Sequence, residues 1–175
     1  MELEKVLHMR RSVRSFTQEQ ITEEELQQIL AAAQTAPLAM GDDQTTHITV
    51  VQNPDALNEI RDACMLKSRK TGEPLDAFYG APTVIFLSAT DISDDHIEYC
   101  NVACVIENIL LQATALNLGS VYIWGCLRKL RANKDAMARL NLPEGYEILS
   151  AVAIGHPEKP LAYREAKEKI AVNRI

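Results

Sequence analysis

PTVIFLSA, residues 82–89, is a continuous apolar run that begins at a proline. Such a run is typical of a short strand whose two faces are both covered, which places it at the centre of a sheet. Three further strand patterns are HITVVQ (47–52), SVYIW (120–124) and EILSAVAIG (147–155). We therefore expect a sheet with residues 82–89 in its middle.

Helix-start signals separate these strands. Thr22 can cap a helix, and Glu25 stands three positions later to complete a capping box. Asn53 and Pro54 suit the N-cap and the first turn of another helix. Two further helices are expected over residues 2–11 and 133–140.

The longest predicted helix runs from His96 to about Leu118 and ends at Gly119, where a left-handed cap is usual. Its apolar residues occupy nearly every side, so no wide polar face is left for water. The chain then closes on KIAVNRI (169–175), an alternating strand pattern with no following element to hold it. Both features predict a homodimer in which the two chains exchange their C-terminal tails.

Helices and strands alternate along the chain without an internal repeat or a linker. We expect an α+β fold in which a central mixed β-sheet is flanked by helices, and a single domain over residues 1–175. A polar loop is expected over residues 67–76.

Charge and hydropathy exclude two classes of partner. The formal net charge of -6 and the pI near 5.2 argue against nucleic acid, which favours a broad basic face. No apolar run approaches the roughly 20 residues that span a bilayer, and the N-terminus lacks the apolar region of a signal peptide. We expect a cytoplasmic protein with no membrane and no nucleic-acid partner.

The cysteines are Cys64, Cys100, Cys104 and Cys126, and they sit in apolar neighbourhoods typical of buried thiols. His96, Cys100 and Cys104 repeat every four residues, so on a helix they would share one face and could reach a metal. No second ligand pair with suitable spacing occurs elsewhere, and no metal site is expected.

MRRSVRSF, residues 9–16, places three arginines and two serines beside otherwise apolar residues. The planar donor fork of arginine suits phosphate oxygens, and a serine hydroxyl adds a neutral donor. Taken alone, the octapeptide also fits arginines that complement a helix C-terminus or lie in solvent.

Collinear segments extend this signal over nearly the whole chain. Besides MRRSVRSF they are AAQTAPLAMGDDQ, DAFYGAPTVIFLSA, ENILLQATALNLGSVYIWG, LPEGYEILSAVAIGHP and the terminal NRI. Together they resemble the nitroreductase family of FMN-dependent oxidoreductases, and several segments in order are far more specific than one short motif. The resemblance implies a homodimer with two FMN sites, each formed at the interface by both chains.

The resemblance implies that Arg10, Arg11, Ser12 and Arg14 hold the phosphate and the ribityl chain of FMN. Arg174 in the terminal NRI resembles a basic residue that similar proteins bring to the phosphate from the end of the chain. The alternative for Arg174 is an ordinary solvated charge in the tail.

APLAMGDDQ (36–44) resembles the family's loop along the flavin, and Pro37, Ala39 and Gln44 keep the frame of that loop. Cofactor contact through backbone groups is therefore implied. The alternative is a plain connection between a helix and a strand.

The same loop departs from the family pattern on its substrate side. Leu38 stands where the family has serine, and Gly41 or Asp42 stands for an asparagine. Thr45 and Thr46 replace a proline and a tryptophan. These changes predict an altered substrate side of the pocket.

VYIWG, residues 121–125, resembles the strand end whose backbone faces flavin N5, which implies that Trp124 and Gly125 contact the cofactor. A backbone N–H beside N5 orients the ring without a titrating side chain. We therefore expect no catalytic side chain. The alternative for Trp124, the only tryptophan, is core packing.

The activity implied by the resemblance is a two-step reaction with FMN as cofactor. NADH or NADPH is the electron donor, and a nitroaromatic, a quinone or a related small molecule is the acceptor. Two alternatives stay open: an FMN-binding carrier or sensor with little turnover, and a cofactor-free dimer whose arginines are solvated.

Overall fold

The computed structural model describes residues 1–41, 43–167 and 169–175. The helices are α1 (Leu3–Met9), α2 (Glu23–Gln34), α3 (Pro54–Ala63), α4 (Ile97–Ala115), α5 (Leu127–Ala132) and α6 (Lys134–Ala138), and a 3₁₀ turn covers Ala39–Gly41. The strands are β1 (Thr46–Val51), β2 (Leu66–Lys67), β3 (Pro74–Leu75), β4 (Thr83–Ala89), β5 (Gly119–Ile123) and β6 (Glu147–Gly155).

The main sheet has the strand order β1-β4-β6-β5, and its three ladders are all antiparallel. We expected a mixed sheet, but the strands of the main sheet pair only in antiparallel fashion. Helix α4 does connect two strands that run in the same direction, β4 and β5, but β6 lies between them and pairs antiparallel with both. Within the described ranges, the only parallel pairing is an isolated bridge between Ser12 and Ser120.

Strand β4 is buried along its whole length and has a paired neighbour on each side, as its apolar run predicted. Val84 and Phe86 face the core cluster formed with α3, α5 and α6. Ile85 and Leu87 face the other cluster, formed with α2 and α4. Because consecutive side chains enter two different cores, every position of the strand has to be apolar or small.

The predicted helix starts are confirmed. Thr22 and Glu25 form a complete capping box at the start of α2. The Asn53 side chain accepts a 3.0 Å hydrogen bond from the N–H of Ala56, at the start of α3. The helix expected over residues 133–140 is the short α6, which Asn133 caps, and α5 before it was not predicted.

The end of α4 differs from the prediction. The left-handed residue after this helix is Asn117, with φ 61°, while Gly119 is already the first residue of β5. Asparagine tolerates that conformation better than most residues. Gly119 is needed for a different reason, a close approach of another segment, described below.

Two segments after these elements also differ from expectation. The polar loop over residues 67–76 contains the β2–β3 hairpin. The tail after β6 forms no helix or strand in the residues described, and Ile170 and Val172 are more than four-fifths exposed. The predicted terminal strand has no pairing partner within the described part of its own chain.

Candidate functional site

The MRRSVRSF segment crosses the beginning of β5. The N–H of Val13 donates a 2.9 Å hydrogen bond to the carbonyl of Ser120, next to the Ser12–Ser120 bridge. A Cβ built on Gly119 would lie 2.9 Å from Cγ1 of Val13, so only glycine permits this approach. The backbone that carries the arginines is therefore anchored to the edge strand β5.

Arg10 and Arg11 are partly engaged by the protein itself. Arg10 Nε lies 3.7 Å from Glu107 Oε1, in a partly exposed ion pair. Arg11 donates from Nε to the Met9 carbonyl at 3.4 Å and from Nη2 to the Ala162 carbonyl. Arg11 thus holds the start of the C-terminal tail against the end of α1.

The same tail segment makes further contacts with α1. The His8 ring stacks on Tyr163 with 4.6 Å between centroids, and His8 Nδ1 lies 2.8 Å from the Arg164 carbonyl. Arg164 Nη2 donates a 2.7 Å hydrogen bond to the Arg10 carbonyl. The path of the tail beside the arginine segment is therefore defined up to residue 164.

Arg14 differs from its neighbours because, in the part of the chain that the structure describes, it makes no hydrogen bond and no ion pair. Its guanidinium carbon lies 5.7 Å from the centroid of the Tyr79 ring. The side chain is exposed. All five N–H donors of Arg14 are consequently available to a ligand.

A cavity of about 300 Å³ lies beside this segment and is lined by Arg11, Arg14, Ser15, Glu158 and Lys159, among others. Three cations thus face one carboxylate, and Glu158 already accepts a hydrogen bond from the Ser15 hydroxyl. A cation-rich cavity with free guanidinium donors matches the needs of a phosphate group. The residues present therefore fit the phosphate end of FMN.

A larger cavity, about 670 Å³, lies between α1 and tail residues 164–167 and 169. Helix α1 contributes Leu7 and His8 to its lining, and the tail contributes Arg164, Glu165, Ala166, Lys167 and Lys169. We assign the anion chemistry to the smaller cavity, because the donors of Arg14 are free there and the backbone is anchored by β5.

The loop that contains Pro37, Ala39 and Gln44 is held from two sides. The N–H of Ala39 donates a 2.8 Å hydrogen bond to Oδ1 of Asn101, a buried residue of α4. The Tyr146 hydroxyl donates a 2.6 Å hydrogen bond to the Gln44 carbonyl. Ala39 and Gln44 are therefore both held by hydrogen bonds to other parts of the chain. Of the two equivalents of the family's asparagine, Gly41 is described and Asp42 lies outside the described residues.

Trp124 and Gly125 are exposed and lie in the short connection between β5 and α5. Trp124 is 62% exposed, so core packing, the alternative for this residue, is wrong. Ile123 and Cys126 on either side are buried and fix the backbone. Among the residues described, no group accepts a hydrogen bond from the Gly125 N–H, and a Cβ on Gly125 would meet nothing within 4 Å.

The structure brings only part of the predicted set together. Arg11 and Arg14 line one cavity, and Ser12 lies at the beginning of β5, whereas Trp124 follows the end of that strand, about 13 Å away at the rise of a β-strand. Pro37 and Ala39 lie in the loop that Asn101 holds, and Arg174 is exposed.

Two residues that hold this region escaped the sequence analysis. Asn101 is a buried polar side chain that fixes Ala39, and its signal was an amide inside a very apolar helix. Tyr79 lies against Arg14, and its signal was the run from Asp76 to Gly80, which has the composition of a side-chain-stabilised turn.

The cysteines lie in different surroundings. No group of three or more metal-binding side chains exists in the described residues, and Cys100 is exposed. Cys64 and Cys126 are buried side by side, and the neighbouring thiol together with burial raises the pKa of Cys64. No helix in the described part of the chain is long and apolar enough to cross a bilayer.

Comparison with known proteins gives one consistent result. A sequence model of the nitroreductase family matches residues 7–156. A protein of Archaeoglobus fulgidus, named after NADH dehydrogenase and NAD(P)H nitroreductase, is 30% identical over 98% of this chain and 94% of its own length. The FMN reductase [NAD(P)H] of Bacillus subtilis is 30% identical over 98% of this chain and 72% of its own.

Solved structures agree with the sequence matches. A Bacteroides fragilis nitroreductase with bound FMN superposes with a TM-score of 0.80 at 28% identity. The superposition covers 100% of this chain and 98% of that one.

Proposed function

The chain belongs to the nitroreductase family, and on this premise we propose that it is an FMN-dependent oxidoreductase that takes electrons from NADH or NADPH and reduces a small organic acceptor. The observation that carries the proposal is the likeness, over the whole chain, to a solved nitroreductase that contains FMN. Nitroaromatic compounds and quinones are the acceptor classes that we propose.

The phosphate end of the cofactor belongs, in this proposal, to Arg10, Ser12 and Arg14, with Arg11 at the edge of the same cluster. The free donors of Arg14 and the cavity that Arg11 and Arg14 line support the roles of these two residues, and the roles of Arg10 and Ser12 rest on the family resemblance. A phosphate that is partly removed from water needs several charge-assisted hydrogen bonds, and guanidinium groups provide them in pairs.

The ring end belongs to Trp124 and Gly125. When bound, FMN supplies a centre that accepts hydride from a nicotinamide and passes electrons to a second substrate. The free N–H of Gly125 would orient the ring edge and stabilise negative charge there, and the buried residues on both sides hold that N–H in place. No titrating side chain has a part in this scheme.

We also propose that residues 1–175 form one domain and that two chains form a homodimer with exchanged tails. Exposed apolar side chains on α1, Leu3 and Leu7, and on the tail, Ile170 and Val172, support a second chain as their cover. In the dimer Pro37, Ala39 and Gln44 would line the cofactor through their backbone, and Arg174 would reach a phosphate.

The test is a visible spectrum of the protein with added FMN, followed by an anaerobic titration with NADH and NADPH. We expect the protein to bind FMN and the flavin absorbance to bleach when nicotinamide is added. Failure of the protein to bind FMN would overturn the proposal and leave a cofactor-free dimer.

A carrier or sensor with little turnover is the second candidate, and the departures at Leu38, Thr45 and Thr46 favour it. It predicts tightly bound FMN that reacts sluggishly with both nicotinamides. The same anaerobic titration therefore separates it from the oxidoreductase.

A further inference from the structure

Arg14 lies beside an aromatic ring that sits on a constrained turn. The turn runs from Asp76 to Ala81, and Tyr79 within it has φ 57°, in the left-handed region that non-glycine residues seldom adopt. Phe78 and Ala81 on either side are fully buried. Tyr79 is itself partly buried against the same core cluster, and the Arg14 guanidinium lies over its ring.

A hydrogen-bond network maintains this unusual backbone. The Asp76 carboxylate accepts from the N–H of Phe78 at 2.8 Å and from the N–H of Gly80 at 2.7 Å. Arg61 Nε lies 3.2 Å from the same carboxylate, and Arg61 Nη2 donates to the Ala81 carbonyl. A strained residue that its surroundings hold this firmly is a frequent feature of functional sites.

The contact type matters for what Arg14 can still bind. An aromatic ring carries no charge and takes no conventional hydrogen bond, so the Arg14 guanidinium over the Tyr79 ring keeps its N–H donors for an anion. Arg11, by contrast, donates two of its N–H groups to backbone carbonyls, and Arg10 faces the carboxylate of Glu107. Arg14 is therefore positioned by a partner that does not compete with a phosphate.

We propose that Tyr79 is a positioning residue for phosphate binding: its ring holds the Arg14 guanidinium at the cation-lined cavity. This inference rests on the proposed function, because it takes the phosphate of FMN as the ligand of Arg14. It predicts that Tyr79 contributes to FMN affinity only through Arg14, and that flavins without a phosphate do not sense it.

The experiment measures dissociation constants for FMN and for riboflavin, which lacks the phosphate, by flavin fluorescence. Tyr79→Leu removes the ring and keeps an apolar side chain, whereas Tyr79→Phe keeps the ring. We expect Tyr79→Leu to weaken FMN binding about fivefold, with riboflavin binding unchanged and Tyr79→Phe close to wild type. Thermal unfolding of each variant shows whether it is folded.

A double-mutant cycle with Arg14→Gln completes the test. If Tyr79 acts through Arg14, Tyr79→Leu has no further effect on FMN affinity in the Arg14→Gln background. An equal loss of FMN and riboflavin affinity, or an undiminished loss in that background, would overturn the inference and make Tyr79 a direct flavin contact. Wild-type protein that binds no FMN would instead refute the proposed function, so the two failures are distinguishable.

Discussion

The N–H of Val13 donates a 2.9 Å hydrogen bond to the carbonyl of Ser120, and this bond attaches the arginine segment to the beginning of β5. The attachment requires Gly119, because a Cβ there would approach Val13 to 2.9 Å and Phe16 to 3.1 Å. Gly119 therefore affects both the stability of the fold and the position of the arginines that we propose bind the cofactor.

Gly119→Ala is expected to destabilise the protein by about 1–3 kcal/mol, the usual cost of forcing atoms into a packed site. Chemical denaturation measures the loss of stability. We also expect weaker FMN binding, which is measured on the folded protein. Gly125→Ala is the matched control, since a Cβ there meets nothing within 4 Å. Equal effects of the two changes would contradict the steric explanation.

Arg14→Gln should weaken FMN binding by about 10- to 100-fold, because a charge-assisted hydrogen bond to the phosphate is lost. Binding of riboflavin should stay the same. Arg139→Gln provides the control, as it removes an exposed arginine that pairs with Glu59 away from the cavity. The phosphate assignment fails if FMN binds Arg14→Gln as tightly as it binds wild type.

Gly125→Pro tests the backbone N–H at the ring end. Proline removes that donor, so we expect FMN to remain bound while its reduction by NADH slows at least tenfold. Gly125→Ala keeps the N–H and should react at nearly the wild-type rate. Stopped-flow measurement of flavin bleaching under anaerobic conditions gives both rates. Identical rates for the two variants would show that the Gly125 N–H has no role in flavin reduction.

Removal of residues 169–175 tests the exchanged tail. We expect the truncated chain to lose dimer stability and FMN together, since the exposed Ile170 and Val172 and the cation Arg174 are all removed. Analytical ultracentrifugation and a flavin titration measure the two effects. Arg174→Gln, which keeps the apolar residues, should weaken FMN binding alone, and a truncated chain that stays dimeric and flavin-loaded would contradict the exchange.

Glu98 at the start of α4 gives a prediction for acid stability. Hydrogen bonds from its own backbone N–H and from Ser93 lower the pKa of this carboxyl below its ordinary value of 4.5. A pKa that is lower in the folded state contributes stability above the unfolded pKa and loses it as the pH falls through the folded pKa. Thermal midpoints between about pH 6 and about pH 3 should therefore fall more steeply for wild type than for Glu98→Gln. If the thermal midpoints of the two proteins fall in parallel, the hydrogen bonds to the Glu98 carboxylate do not contribute to stability.

Local signals were sufficient for the parts of the fold that near neighbours control. The apolar run of β4, the Thr22–Glu25 capping box and the Asn53 cap all formed where the sequence predicted them. Each of these features depends on residues that are close together in the sequence. Residue propensity and spacing therefore predict them.

What the sequence by itself determined is the family, the helix starts, the buried strand and a cation-rich segment after α1. Only the tertiary structure decided that β6 separates β4 from β5, that Arg11 turns to the tail and that Tyr79 stands beside Arg14. The physical reason is distance along the chain: these partners meet because packing of the two cores brings remote segments together, and no local pattern records which of them will touch.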